Sequence, residues 1–102
     1  MKIIGDVFTR ELFFAGEEIK NDTSLVNHSP DGFMWGYAGS GPAQAAFMIL
    51  YTYFQKIQKL SPKKAEEETR KLYQDFKFAF IAKQDKDQDL VIDIDEISKW
   101  LM

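Results

Sequence analysis

From Pro42 to about Lys59 the chain reads as one helix, and its first turns are apolar nearly all round: Ala43, Ala45, Ala46, Phe47, Met48, Ile49 and Leu50. A helix without a polar face has to be covered on most sides. This segment is therefore the central element, and the rest of the chain must wrap it. Pro42 suits the first helical position, where its missing N–H would have no partner anyway. The chain has 102 residues, 45% hydrophobic and 15% aromatic, enough for the core of one domain and too much for a disordered tail. It has no cysteine, which excludes disulfides, thiolate metal sites and a cysteine nucleophile.

The cover comes from both sides. Residues 1–38 read as β structure, with short apolar groups (Ile3-Ile4, Val7-Phe8, Leu12-Phe13-Phe14) broken by glycine and charge. Ala15-Gly16 predicts a hairpin turn, Gly16 supplying a positive φ. Asn27-His28-Ser29-Pro30-Asp31-Gly32 is a turn cluster, and Phe33 to Tyr37 a short strand or an extended approach. Ser61 and Pro62 start a second helix as N-cap and first residue. That helix is expected to reach about Lys83, with a core stripe of Ala65, Thr69, Leu72, Phe76 and Ala79. Phe78, Phe80 and Ile81 widen its apolar face, to cover the sheet or to meet a second copy of the chain. Leu90-Val91-Ile92 predicts a short strand, and Ile94 to Leu101 a last helix. The expected fold is a single α+β domain over residues 1–102, β-rich in 1–38 and helical in 42–102. In it a small antiparallel sheet packs on a buried central helix, with a second long helix and a short C-terminal helix.

Charge narrows the function classes. Thirteen Lys+Arg against sixteen Asp+Glu give a net charge of −3, which disfavours binding of long nucleic acids. Gly5 and Asp6 interrupt the N-terminal apolar residues before a secretory signal can form. The longest apolar run is far short of the ~20 residues that span a bilayer. A cytoplasmic location without membrane attachment is expected.

Trp35-Gly36-Tyr37-Ala38-Gly39-Ser40-Gly41-Pro42-Ala43-Gln44 is the first candidate site. Its glycines let backbone approach a ligand closely. The first N–H groups of the following helix lack intrahelical partners and face the positive end of its dipole. The donors expected there are the amides of Ser40, Gly41, Ala43 and Gln44 and the Ser40 hydroxyl; Gly39 lends the loop its freedom. Trp35 and Tyr37 are placed to stack on a base. Together they point to a phosphate-bearing, nucleotide-like ligand. The segment is neither a P-loop, lacking the Lys-Ser/Thr, nor a dinucleotide fingerprint, whose order and βαβ setting are missing. The other reading is a tight turn with Trp35 and Tyr37 in the core. His28, the only histidine, has no triad or metal spacing around it. It is a turn anchor or a ligand contact.

The second candidate, Asp85 to Glu96, imitates a calcium loop. Asp85, Asp87 and Asp89 fall at positions 1, 3 and 5, Val91 offers its carbonyl at 7, Asp93 falls at 9 and Glu96 at 12. Leu90 stands where such a loop needs glycine, at a cost of about 1–2 kcal/mol for a branched residue at positive φ. The alternative makes Leu90-Val91-Ile92 a strand and Asp93 the N-cap of the last helix, with Glu96 as its capping-box partner. The stretch holds six acids against one lysine, a local −5 that leaves +2 for the remainder.

The run from His28 to Gln44 resembles a small uncharacterised family of bacteria and phages. Its motif is His-Ser-Pro-x-Gly-Phe-x-Trp-Gly-Tyr-Gly-Gly-Ser-Gly-Pro-Ala-Gln, followed by an apolar helix and a Leu-Tyr-x-x-Phe-Lys stretch, here Leu72 to Lys77. Ala38 replaces a glycine of that motif. The resemblance covers roughly residues 25–100, supplies no catalytic residues, and favours a strand and helix over a calcium loop; no cofactor is expected. Phage occurrence implies, by association, a role against host defence.

The expected function is therefore non-enzymatic binding of a nucleotide-like molecule, a phage-type sequestration of a nucleotide signal. The ligand contacts would be His28, Trp35, Tyr37, Gly39, Ser40, Gly41, Ala43 and Gln44. No catalytic or metal residues are expected. The alternative is a protein-interaction module inhibiting a host protein; calcium binding at 85–96 is a further one.

Overall fold

A computed structural model describes all 102 residues. The central helix α1 spans Ser40–Lys56, and every residue from Gly41 to Leu50 is buried. It begins two residues before the expected start, so Pro42 sits inside its first turn. It ends three residues early, because Lys59 adopts φ 58° and the Leu60 N–H returns to Phe54 O, closing the helix end.

Four antiparallel strands form one sheet in the order β3-β2-β1-β4. They are β1 (Lys2–Gly5), β2 (Leu12–Phe14), β3 (Glu17–Ile19) and β4 (Leu90–Asp93). Alternation turns Ile3, Leu12, Phe14, Ile19, Leu90 and Ile92 to the helices. The β2–β3 hairpin turns through Ala15 (φ 49°) and Gly16 (φ 87°), the paired left-handed residues a two-residue hairpin uses. Val7 and Phe8, grouped with the β segments by sequence, lie instead in a turn. The Asp6 carboxylate accepts from the Phe8 and Thr9 amides and closes the backbone away from the ladder. Phe33 to Tyr37 forms no strand either, being irregular and bent.

Helix α2 (Pro62–Phe76) begins as expected, with the Ser61 hydroxyl accepting from the Lys64 amide. It does not continue to Lys83 as an α-helix. Lys77–Ile81 form a π turn, in which the Ala82 N–H donates to Lys77 O, five residues back. The extra residue turns Lys77 and Ile81 inward and leaves Ala79 only half-buried and Phe78 exposed. Phe76 and Phe80 meet Trp100 of helix α3 (Ile94–Leu101). Asp93 caps α3 by accepting from the Asp95 amide, while Glu96 pairs with Lys99 rather than reaching back as a capping box. No helix is long and apolar enough to cross a membrane.

Candidate functional site

The glycine loop and the acidic loop, read from sequence as separate candidates, pack on each other. Gly36 has φ 89°, and a Cβ there would stand 2.5 Å from the Lys86 backbone. Its N–H donates to Ile81 O. The Trp35 indole N–H donates to Gln88 O at 2.9 Å, and the ring lies over Gly5, where a Cβ would come within 2.8 Å of it. Arg10 closes the unit: its guanidinium sits 4.6 Å from the Trp35 ring centroid and donates to Lys86 O. Arg10 and the inter-loop role of Gly36 are not legible in the sequence, because their partners (Trp35 and Lys86 for Arg10, Ile81 and Lys86 for Gly36) come from distant segments; only the Trp-Gly pair hints at a close approach.

This packing redistributes the expected ligand contacts. Trp35 is fully buried with its one polar atom bonded, so its ring stacks on glycine and arginine and has no face for a base. Ala43 is buried and its N–H donates to Gly39 O. Gln44 is fully buried, and its amide is a hub: Oε1 accepts from the His28 and Ser29 amides, and Nε2 donates to Asn21 Oδ1 and Val26 O. It pins the 21–29 loop to α1. His28 turns away to the second helix, its Nε2 2.7 Å from the Tyr73 hydroxyl. Arg70 fastens the same loop by donating to Leu25 O. In that loop the Ser24 hydroxyl, donating to Asp22, holds the Asp22 carboxyl below its ordinary pKa.

Tyr37, Gly39, Ser40 and Gly41 do come together at the helix entrance. The Tyr37 ring and Met34 lie on it so closely that a Cβ at Gly39 would be 2.5 Å from the ring and one at Gly41 2.6 Å from Met34. Gly39 as N-cap has no side chain to offer, and the amides of Ser40 and Gly41 donate to no other group of the chain. Ser40 is exposed and Gly41 buried. No pocket opens here or elsewhere on the surface.

The calcium-like loop folds as its alternative reading has it in the strand and the Asp93 cap, though without the Glu96 capping box. Leu90, Val91 and Ile92 are strand residues paired with Gly5, Ile4 and Ile3. Asp85 Oδ1 accepts from the Asp87 amide, Asp89 Oδ1 from the Val7 amide and Asp93 Oδ1 from the Asp95 amide. The carboxylates of Asp85, Asp87, Asp89, Asp93 and Glu96 do not converge on one point. Leu90 at the glycine position explains this: it is a fully buried strand residue, and the backbone makes no sharp turn there.

A surface feature missed from sequence lies on the sheet side opposite the helices. Register places Val91, Ile4 and Phe13 in one cross-strand row, continued by Glu18. All three apolar residues alternate with core positions, Val91 being 44% exposed and Ile4 and Phe13 half-buried. Phe8, 94% exposed, projects from the β1–β2 turn. The sequence signal is present in the solvent-side positions of β1, β2 and β4, but only the register aligns them.

Residues 3–102 match the model of a family of unknown function, DUF6166, and the chain belongs to that family. No curated protein and no solved structure matches it.

Proposed function

We propose that this DUF6166 member works by docking on another protein, without turnover, through the outward side of its sheet. The observation that carries this reading is the aligned row Val91–Ile4–Phe13 on the sheet side away from the core, with a nearly fully exposed Phe8 in the β1–β2 turn. Apolar side chains aligned across strands and partly open to water are the raw material of an interface. The loop chemistry supports the same reading, since Trp35, Ala43 and Gln44 already serve the fold. The resemblance to proteins of phages favours an inhibitor acting on a host protein in the cytoplasm.

The test is photo-cross-linking. A benzophenone amino acid at Phe13 should give one discrete adduct in extract from cells that carry the protein. The same probe at Lys63, on α2, should give none. Ile4→Lys should abolish the Phe13 adduct without changing the fold. Absence of any adduct from both Phe13 and Phe8 would refute the reading.

A second reading keeps a phosphate-bearing ligand, and one observation favours it: the unpaired amides of Ser40 and Gly41 beside an exposed hydroxyl. A ligand at 100 times its Kd raises stability by about 2.7 kcal/mol. A thermal-shift screen with inorganic phosphate and nucleotides, repeated on Ser40→Pro, decides it.

A further inference from the structure

The sheet has two edges, and they are built differently. Strand β3 is three residues long and carries Glu17 and Glu18, tied to Lys56 and Lys20. Short, charged strands of this kind deter further pairing. Strand β4 is the other edge.

The β4 ladder can be followed residue by residue. The Ile94 N–H donates to Met1 O, Ile92 stands opposite Ile3, and Leu90 opposite Gly5. Antiparallel pairing engages alternate residues, so Leu90, Ile92 and Ile94 turn their backbone groups to β1. Those of Val91 and Asp93 turn outward. The Val91 carbonyl accepts from the Gln84 side-chain amide at 3.1 Å, and no group of the chain accepts from the Val91 or Asp93 N–H. The edge thus offers two open donors and one acceptor held by a side chain that can swing away. The exposed Val91 side chain stands beside them.

Charge selects the occupant. The strand lies in the segment Asp85–Glu96, with six acids against one lysine. A second copy pairing β4 to β4 would set like charges across the new ladder, which is unfavourable. A strand with lysine or arginine around β-branched residues meets the opposite field. We infer that the free edge of β4 accepts a basic, extended segment of a partner protein as a fifth strand. Its N–H replaces Gln84 at the Val91 carbonyl, and its carbonyls receive the Val91 and Asp93 amides. This inference rests on the docking reading above and names the partner's chemistry.

The test uses the ¹⁵N-labelled full chain and a short peptide alternating valine with lysine and arginine. Binding should slow exchange of the Val91 and Asp93 amides at least tenfold. Gln84→Ala should bind the peptide a few-fold more tightly. Val91→Pro should weaken binding at least tenfold, with the fold kept because this N–H faces outward on an edge. A peptide with glutamate in place of the basic residues should not bind. Shifts without amide protection that vanish in high salt would overturn the inference, as would self-association through β4 in sedimentation. If protection fails while an adduct from Phe13 or Phe8 persists, the edge assignment falls and the docking reading stands; if neither position gives an adduct, both fall.

Discussion

Gln44 is the side chain on which the 21–29 loop depends. It is uncharged, fully buried, and bonded to four groups of that loop. Gln44→Leu keeps the volume but removes the partner of the buried Val26 carbonyl and of three part-buried groups, the His28 and Ser29 amides and Asn21 Oδ1. Each buried group left unpaired costs about 1–3 kcal/mol, so the variant should lose about 2–4 kcal/mol in urea denaturation, with faster exchange at His28 and Ser29. Thr69 is the opposite case. It is fully buried at the α1–α2 packing, and its hydroxyl has no partner. Thr69→Val removes that unpaired group at nearly equal size and should raise stability by about 1 kcal/mol. At this scale the sequence is legible as residue type but not as role. Trp35 and Gln44 stand out in it, yet each serves the fold, because its partners (Gln88 and Arg10 for Trp35, Asn21 and Val26 for Gln44) come from distant segments.

The elements themselves are readable where local chemistry decides them. The Ala15-Gly16 turn, the Ser61-Pro62 start, the Leu90–Ile92 strand and the Asp93 cap all follow from short-range signals. The C-terminal ends of α1 and α2 are not. Lys59 takes a left-handed conformation that the sequence assigns to no lysine, because Leu60 has to return to the core. Lys59→Gly should therefore stabilise the chain by about 0.5–1 kcal/mol, relief of the left-handed strain outweighing the entropy of glycine. A thermal melt against the parent chain checks it. The π turn at Lys77–Ile81 escapes the helical stripe for a related reason. One extra residue rotates the next part of the chain by about 100°. Ile81 thereby presents its carbonyl to Gly36, a tertiary requirement that no 3–4 spacing encodes.

On the scale of the whole molecule, α1 is wrapped by the sheet on one side and by α2 with its π turn on the other. The loops at its entrance lock to each other through Arg10, Trp35 and Gly36. That lock turns the most ligand-like stretch of the sequence largely into packing, while the apolar row Val91–Ile4–Phe13, on the other side of the sheet from the core, is only partly covered. The site read from sequence is thus legible as a special loop, while the surface proposed to work depends on strand register. Whether this surface carries the function is tested most directly by comparing two folded variants in one partner-capture assay. One is Ile4→Lys with Phe13→Lys; the other is His28→Ala with Ser40→Ala. Both should melt close to the parent chain. The sheet variant should lose the partner at least tenfold and the loop variant should keep it; the reverse pattern would contradict a working sheet face.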